Sequence, residues 1–201
     1  MDMNRLQKQL QFLVEIDKLK TIIRQTILID KSRLENDAEH SWHFAMAAII
    51  LYEYVDQTKV DISRVVKMAL IHDLVEIYSG DTYAYAENYE ESVEKEKHAA
   101  DRLFTLLPEQ QAFEFRSLWE EFDKGETEDA KYALAIDTLQ PQLNNYYTQG
   151  ELWLRNKVTS DKVYKRAERI KNGIPQLWPF WDSLLQDSIE KGYLEKQANE
   201  S

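Results

Sequence analysis

His72, Asp73 and Glu76 occupy positions where a helix is expected to bury apolar side chains. The apolar stripe that leads up to them consists of Ile62, Val65, Val66 and Ala69. Continued at the helical period of about 3.6 residues, this stripe reaches positions 72, 73 and 76. Three buried ionisable groups cost free energy unless a partner neutralises them. A divalent cation would do so, because it offsets carboxylate charge and binds the nitrogen of a neutral imidazole.

Two further segments each direct one ligand-type side chain inward. The segment 36–55 is apolar on almost every side, which predicts a buried helix, yet it contains His40. In the segment 127–147, Asp137 continues an apolar helical stripe. That stripe consists of Ala130, Ala133 and Leu134. A lone buried His is more often a hydrogen-bonded core residue than a ligand. Three buried helices that each contribute His or Asp favour a shared cation instead, with coordination positions left open for water.

The elements that must hold these residues are predicted to be helices. The chain has 201 residues, enough for one domain with a substantial core, and only 5 Gly and 4 Pro, which argues against a fold rich in tight turns. Helical spacing predicts the helices 6–23, 36–55, 61–78, 90–106, 108–122, 127–147, 163–170 and 181–189. Asn36 or Asp37 and Asp61 are suitable N-caps, and Gly80 is the expected stop after 61–78. Residues 26–36 are predicted to be a connecting loop, and the fold class predicted is all-α.

Charge and cysteine content exclude several functions. The formal net charge is −11, whereas a protein that binds duplex nucleic acid normally has a basic face, so no nucleic-acid partner is expected. The chain has no Cys, which excludes disulfides, thiolate ligands and cysteine nucleophiles. The longest apolar run, 44–52, is too short to cross a bilayer, and the N-terminus lacks an apolar signal segment. We therefore expect a cytoplasmic protein with no membrane partner.

The order of the candidate ligands resembles a known family. His40, then the adjacent pair His72-Asp73, then Asp137 is similar to the pattern of the HD-domain superfamily of metal-dependent phosphohydrolases. The resemblance extends over residues 19–145. It implies a helical bundle of the HD-domain type in which these four residues are the metal ligands.

A closer resemblance is to the 5'-deoxynucleotidase branch of that superfamily, which removes phosphate from deoxyribonucleoside 5'-monophosphates. The motifs that carry it are Glu39-His40-Ser41, His72-Asp73-x-x-Glu76 and Gly80-Asp81. The resemblance implies catalytic roles for Glu76 and Asp81. Glu76 would orient or deprotonate the attacking water, since it lies one turn after His72. Asp81 would hold the sugar hydroxyl or protonate the leaving 5'-oxygen.

Substrate recognition is where the sequence departs from that branch. The family uses an Arg followed by Trp, upstream of the first His, for the phosphate and the sugar. Here Arg24 lies in about the corresponding place but is followed by Gln25, and the spacing to His40 is one residue longer. Arg24 is the predicted phosphate-binding residue, and Arg33 is the second candidate. The expected partner is a small phosphorylated molecule, a nucleotide in particular.

The number of histidines bears on how many ions the site holds. Only 4 His are present. His43 is predicted to lie behind the ligands or in the core, and His98 to be solvated. One divalent ion is therefore expected, either Mn, Co, Mg, Zn, Fe or Ni. A two-iron oxygenase, a chemistry also found on HD-like folds, would need more His.

The resemblance also leads to expectations about assembly, domain organisation and alternative activities. Members of the resembling family form homodimers, so a homodimer is expected. We predict one domain, 1–201, with the metal-binding core at 19–145 and C-terminal helices within 160–195 packed on it. Alternatives to nucleotide hydrolysis are hydrolysis of another phosphate compound, such as a nucleoside triphosphate or a sugar phosphate, and a non-enzymatic metal-binding role.

Overall fold

The structure, a computed structural model, describes residues 2–85 and 89–197 and is mainly helical. The α-helices in chain order are α1 (Met3–Ile16), α2 (Asp37–Leu51), α3 (Ile62–Ile71), α4 (Glu76–Ser79), α5 (Tyr89–Phe104), α6 (Glu109–Lys124), α7 (Glu128–Tyr147), α8 (Glu151–Arg155), α9 (Ser160–Gly173) and α10 (Trp178–Glu190). Short 3-10 helices lie at Asp17–Thr21, Tyr52–Tyr54, His72–Val75 and Pro175–Leu177. The prediction of an all-α fold is confirmed, apart from two short strands, β1 (Ile23–Ile27) and β2 (Leu34–Asn36).

Strands β1 and β2 form an antiparallel hairpin in the region predicted to be a loop, so that prediction was wrong. Ile23 pairs with Asn36, and Ile27 pairs with Leu34. Strands of five and three residues are too short to show the alternation by which a strand is identified in a sequence. The helix predicted over 6–23 is also shorter: α1 ends at Ile16, a 3-10 helix follows at Asp17–Thr21, and Ile23 begins β1. The hairpin leads the chain directly into α2.

Helix α2 begins where predicted but is not buried on every side. Asn36 is its N-cap: the Asn36 side chain accepts the Glu39 N–H, and the Glu39 carboxylate accepts the Asn36 N–H, which completes a capping box. The face that contains Phe44 and Ala48 is fully buried. The opposite face is exposed, and its large apolar residues are Trp42, Met46, Ile49 and Ile50. The prediction of a helix buried all round was wrong, because an apolar sequence cannot show which of its sides the core covers.

The helical segment that carries the His72-Asp73 pair is interrupted at that pair. Asp61 caps α3, as predicted, because its side chain accepts backbone N–H groups of the first turn. The α-helix was predicted to continue to position 78, but α3 ends at Ile71, and a 3-10 turn carries His72 and Asp73 before α4 begins. Such tight turns within a helical segment often mark functional sites. Gly80 ends the segment, as predicted, with a φ of 79° that favours glycine.

Helix α7 lies between two groups of buried apolar side chains. One group includes residues of α2, α3, α5 and α6, among them Phe44 and Met68. The other includes residues of α8, α9 and α10, among them Trp153 and Val163. The C-terminal helices therefore pack against the helix that carries Asp137. Within the described part of the chain, every helix is too short or too polar to span a membrane.

The contact between α7 and α9 leaves no room for a side chain at Gly173. A Cβ atom at this position would lie 2.2 Å from the carbonyl oxygen of Lys131 and 2.7 Å from the Cβ of Ala135. Both of these atoms belong to α7. The backbones of the two helices therefore approach closely at the end of α9.

We expect Gly173→Ala to lower the free energy of unfolding by about 1–3 kcal/mol, because the added methyl group would push α9 away from α7. Thermal unfolding followed by circular dichroism would measure this as a Tm several degrees lower. Asn172→Ala is the control, because Asn172 is an exposed residue of the same helix, and its Tm should remain unchanged. Equal Tm values for the Gly173 variant and the unchanged protein would contradict the close contact.

Candidate metal centre

His40, His72, Asp73 and Asp137 meet at one point between α2, α7 and the 3-10 turn after α3. His40 Nε2 lies 3.2 Å from Asp137 Oδ1 and 3.8 Å from Asp73 Oδ2. His72 Nε2 lies 3.1 Å from Asp73 Oδ1 and 3.8 Å from Asp137 Oδ1. All four residues are buried. The structure thus brings together the four side chains that the sequence analysis selected as ligands.

Hydrogen bonds on the far side of each imidazole leave both Nε2 atoms directed at this point. His72 Nδ1 donates to the Ala69 carbonyl oxygen at 3.0 Å. His40 Nδ1 donates to Gln140 Oε1 at 2.9 Å. The orientation of the Gln140 amide is set by Glu35, because Gln140 Nε2 donates to that carboxylate at 2.9 Å. In the neutral form that binds a cation, each ring would keep its proton on Nδ1, so that Nε2 presents a lone pair.

This set of donor atoms fits a divalent cation. The Nε2 atoms of both imidazoles face the carboxylates of Asp73 and Asp137, and His72 Nε2 is buried without a hydrogen-bond partner. Two ligand atoms that lie about 2 Å from one ion, roughly at right angles, are about 3 Å apart. The separations of 3.1 and 3.2 Å are close to this value. Mixed nitrogen and oxygen ligands suit a borderline or hard divalent ion.

Asp73 and Asp137 remain ionised although they are buried. Burial by itself would raise the pKa of both carboxyl groups. At Asp73, the neighbouring His72 and Arg24 outweigh burial and hold the pKa well below its usual range. In the ion-free protein, the hydrogen bond between His40 Nε2 and Asp137 Oδ1 and the charge of His40 have the same effect on the pKa of Asp137. Both side chains are therefore in the form that binds a cation.

Further carboxyl groups adjoin Asp73. Oxygens of Asp37, Asp73 and Glu76 lie within 4.8 Å of one another. Burial and the charges of Asp73 and Asp37 raise the pKa of Glu76 to about 12. Burial and the charge of Asp73 raise the pKa of Asp37 to about 6, and burial raises the pKa of Asp81. Glu76 therefore keeps a proton in the ion-free protein, and a cation nearby would favour its ionised form.

The two arginines predicted to bind phosphate lie in different surroundings. Arg24, in β1, forms ion pairs with Asp73 at 2.8 Å, Asp37 at 3.3 Å and Glu35 at 3.6 Å. Burial opposes its charge, but these acidic neighbours, Asp73 first, raise the pKa of Arg24 further above its usual value. Arg33 lies in the hairpin turn, is 54% exposed, and is held by a surface ion pair. The structure therefore brings Arg24 to the cluster and leaves Arg33 away from it.

A cavity of about 190 Å³ opens onto the cluster. Its wall includes Arg24, Glu76 and Asp81, which were predicted from the sequence, and also Arg166 and Arg169 of α9. The sequence analysis missed the two α9 arginines because no motif surrounds them. Their only signal is their spacing of three residues, which places them on one side of a helix.

Two other residues of the site were also missed. Asp37 was considered only as an N-cap, although it lies three residues before His40 and therefore on the same side of α2. Gln140 follows Asp137 by three residues on α7, and this spacing is the signal that would have identified it. The Nε2 of Gln140 also donates to His43 Nδ1 at 3.1 Å, so His43 lies behind His40, where it was predicted. His98 is exposed, also as predicted.

We expect Gln140→Leu to weaken manganese binding by about 10- to 100-fold, because His40 would lose the acceptor that keeps its proton on Nδ1. Titration calorimetry with manganese would measure the loss. The matched control is Gln142→Leu, which removes a buried amide of α7 that accepts from Trp181 Nε1 at 2.8 Å instead of from an imidazole. Equal manganese affinity in the two variants would show that Gln140 does not orient His40.

The chain belongs to the HD domain family, whose model matches residues 16–178. The family predicted from the order of the ligands is therefore confirmed. The matched range contains the four candidate ligands, both catalytic candidates and the helices α8 and α9.

Two solved structures each match more than 90% of this chain but differ in sequence identity. The solved structure of a "predicted metal-dependent phosphohydrolase" from Magnetospirillum magnetotacticum is 50% identical, covers 95% of this chain and 96% of that chain, and superposes with a TM-score of 0.92. An HD-domain phosphohydrolase from Listeria innocua has a TM-score of 0.62 at 19% identity, with 92% of this chain and 90% of that chain covered, which shows the fold alone.

Curated relatives carry a more specific name. The 5'-deoxynucleotidase HDDC2 of Xenopus laevis is 32% identical over 131 residues, which are 64% of this chain and 63% of that protein. The human protein of the same name is 32% identical over 131 residues, 64% of this chain and 62% of that protein. The match therefore spans somewhat less than two thirds of the length of these relatives.

Proposed function

We propose that this protein is a metal-dependent phosphomonoester hydrolase that acts on (deoxy)nucleoside 5'-monophosphates. The observation that carries the proposal is the convergence of the Nε2 atoms of His40 and His72 on two ionised aspartates, beside a cavity whose wall includes three arginines. The name of the curated relatives, 5'-deoxynucleotidase, supports this choice of substrate. The similar structure from Magnetospirillum magnetotacticum supports metal-dependent phosphate hydrolysis.

His40, His72, Asp73 and Asp137 would hold one divalent ion. When bound, the ion lowers the pKa of a coordinated water and offsets the charge of the phosphoryl oxygens. The protein needs such positive charge, because its net charge of −11 repels a phosphorylated substrate. Mn, Co, Mg, Zn, Fe and Ni all remain candidates for this site.

Glu76 and Asp81 divide the proton transfers of the reaction. Glu76 borders the ion site and accepts the proton of the attacking water, since its ionised form is favoured once positive charge is present. Asp81 lines the same cavity and has a raised pKa, which suits a group that protonates the leaving 5'-oxygen. Arg24 supplies positive charge beside Asp73 and keeps that carboxylate directed at the ion site.

Three other functions make different predictions about the same site. Hydrolysis of a nucleoside triphosphate or a sugar phosphate would use the same ligands and differ only in the cavity wall. A two-iron oxygenase would bind two irons and consume oxygen. A non-enzymatic metal-binding protein would bind the ion and release no phosphate from any compound.

A phosphate-release screen tests these possibilities together. Deoxynucleoside and ribonucleoside 5'-monophosphates, nucleoside triphosphates and sugar phosphates would each be supplied with manganese, cobalt, magnesium or zinc. We expect the highest kcat/KM for a 5'-monophosphate and none without a divalent ion. Preference for a triphosphate or a sugar phosphate would replace the proposed substrate, and no phosphate release under any condition would reject the enzymatic function.

The predicted homodimer remains a prediction, and the exposed stripe of α2 is the surface that we expect a second copy to cover. Trp42 and Ile50 are the most exposed of its residues, at 63% and 62%. Apolar side chains grouped in this way usually mark an interaction surface, and a two-fold dimer pairs one patch with itself. Sedimentation should give the mass of a dimer for the unchanged chain and of a monomer for a Trp42→Glu, Ile50→Glu variant. A monomeric unchanged chain would contradict the prediction.

A further inference from the structure

Helix α9 directs two arginines into the cavity next to the candidate metal centre. Arg166 and Arg169 both line the cavity, and their side chains are 26% and 39% exposed. The apolar stripe of α9, which packs toward α7, is flanked by these two residues on the side of the cavity. The stripe consists of Val163, Ala167 and Ile170. Packing of α9 on α7 is therefore what holds both guanidinium groups beside Asp137.

The two oxygens of Asp137 face different partners. Oδ1 is the oxygen that faces His40 Nε2 at 3.2 Å and His72 Nε2 at 3.8 Å. Oδ2 lies 3.7 Å from Arg166 Nη2 and 3.9 Å from Arg169 Nη1. These two separations are longer than a hydrogen bond, so each arginine forms an ion pair with Asp137 without a direct hydrogen bond to it. The carboxylate of Asp137 therefore lies between the two arginines and the ion site.

Arg24, the arginine predicted from the sequence, is already engaged by protein carboxylates. Three acidic side chains lie within 3.6 Å of its guanidinium group: Glu35, Asp37 and Asp73. It is also the most enclosed of the cavity arginines, with 14% of its side chain exposed. Arg24 therefore balances charge within the protein and has little capacity left for a substrate.

The cavity wall needs positive charge if a phosphate group is to enter. The acidic residues in the wall are Asp73, Glu76, Asp81, Glu96, Asp123 and Asp137. The cationic residues among the described lining are Arg24, Arg166 and Arg169. A phosphomonoester carries up to two negative charges and would be repelled by such a wall. The ion and the two α9 arginines are the groups placed to overcome this repulsion.

We propose that Arg166 and Arg169 bind the non-ester oxygens of the substrate's phosphate group and so select a phosphomonoester. This inference rests on the proposed function, because it assigns the phosphate subsite of the same cavity. A guanidinium group offers paired N–H donors whose geometry matches two phosphate oxygens. One phosphate group is wide enough to contact the ion with one oxygen and an arginine with another. Helix α9 thus contributes substrate-binding side chains to the site in addition to its packing on α7.

The test measures the affinity of inorganic phosphate for the manganese-loaded protein by titration calorimetry, and the manganese affinity in parallel. We expect Arg166→Gln and Arg169→Gln each to weaken phosphate binding by about tenfold, and the double variant by more, with manganese affinity within about threefold of the unchanged protein. The KM for a deoxynucleoside 5'-monophosphate should rise in the same variants, and Arg166→Lys should recover part of the loss. Lys165→Gln is the control, because it removes one positive charge from an exposed position of α9 and should leave both affinities unchanged.

Two results would overturn the inference. One is unchanged phosphate affinity and KM in the folded double variant, and the other is a loss of manganese affinity as large as the loss of phosphate affinity. The second result would mean that the arginines only hold Asp137 in place. Both results leave the proposed function intact as long as the unchanged protein releases phosphate. If the unchanged protein releases none from any phosphate compound, the proposed function itself fails.

Discussion

Asp73→Ala should yield a folded protein that neither retains manganese nor releases phosphate, with activity reduced at least about 1,000-fold. Asp73 connects three parts of the site: Oδ1 lies 3.1 Å from His72 Nε2, and Oδ2 lies 2.8 Å from Arg24 Nη1 and 3.8 Å from His40 Nε2. Its loss would remove one ligand and would also leave the positive charge of Arg24 directed at the ion site. Metal content by mass spectrometry and phosphate release by a colorimetric assay would measure the two effects.

The control for this variant is Asp101→Ala. Asp101 is a carboxylate on the surface of α5, 67% exposed and paired with Arg116 at 2.5 Å, and it is not part of the cavity wall. Its removal should leave metal content and activity unchanged. An Asp73→Ala protein that is active without metal would refute the proposed mechanism at its centre.

The second large effect is expected from Glu76→Gln, which should keep the ion and lose about 100- to 10,000-fold in kcat. The amide has nearly the size of the carboxyl group but cannot accept a proton from water at neutral pH. KM should change little, because Glu76 is placed to act on the water and not on the phosphate. Steady-state kinetics together with manganese titration would separate the two quantities. A loss of manganese affinity parallel to the loss of kcat would show instead that Glu76 is a ligand.

Glu76→Gln should lower kcat but raise the stability of the ion-free protein at pH 8. In the ion-free protein the pKa of Glu76 is raised from 4.5 to about 12, so the folded state holds a proton that the unfolded state releases above about pH 4.5. Stability therefore falls as the pH rises from 4.5 toward 12. Glu76→Gln removes this dependence, so ion-free variant protein should unfold at a higher temperature than ion-free unchanged protein at pH 8 and at a similar one at pH 4.5. A lower Tm at pH 8 would contradict the burial of a neutral carboxyl group.

Much of the candidate site was predictable because most of its residues continue a local helical pattern. His72, Asp73 and Glu76 follow the apolar stripe of α3, and Asp137 follows that of α7. The N-caps of α2 and α3 and the Gly80 stop were also predictable, since capping depends on residues within one turn. Helical stripes and caps involve residues that are close together in the sequence, so they can be recognised without knowledge of the rest of the fold.

Other features were not predictable, because they depend on contacts between distant segments. Thr26 and its neighbours form a strand only because β2 pairs with them, and the pairing is too short to leave an alternating pattern. The exposure of Trp42 on α2 depends on which side of that helix the other helices cover. Arg24 and Arg33 belong to the same hairpin, yet only Arg24 lies on the side that faces Asp73 and the candidate metal centre.

By itself, the sequence indicated the helical class through its helical period, the family through the order of its motifs, and four candidate ligands through residue type and helical period. Only the tertiary structure decided which nitrogen of each histidine faces the ion site, through Gln140 and the Ala69 carbonyl. It also decided that Arg166 and Arg169 face Asp137, because the side of α9 that meets α7 depends on packing across the whole domain. Local periodicity specifies each helix face, and the arrangement of the helices determines what that face meets.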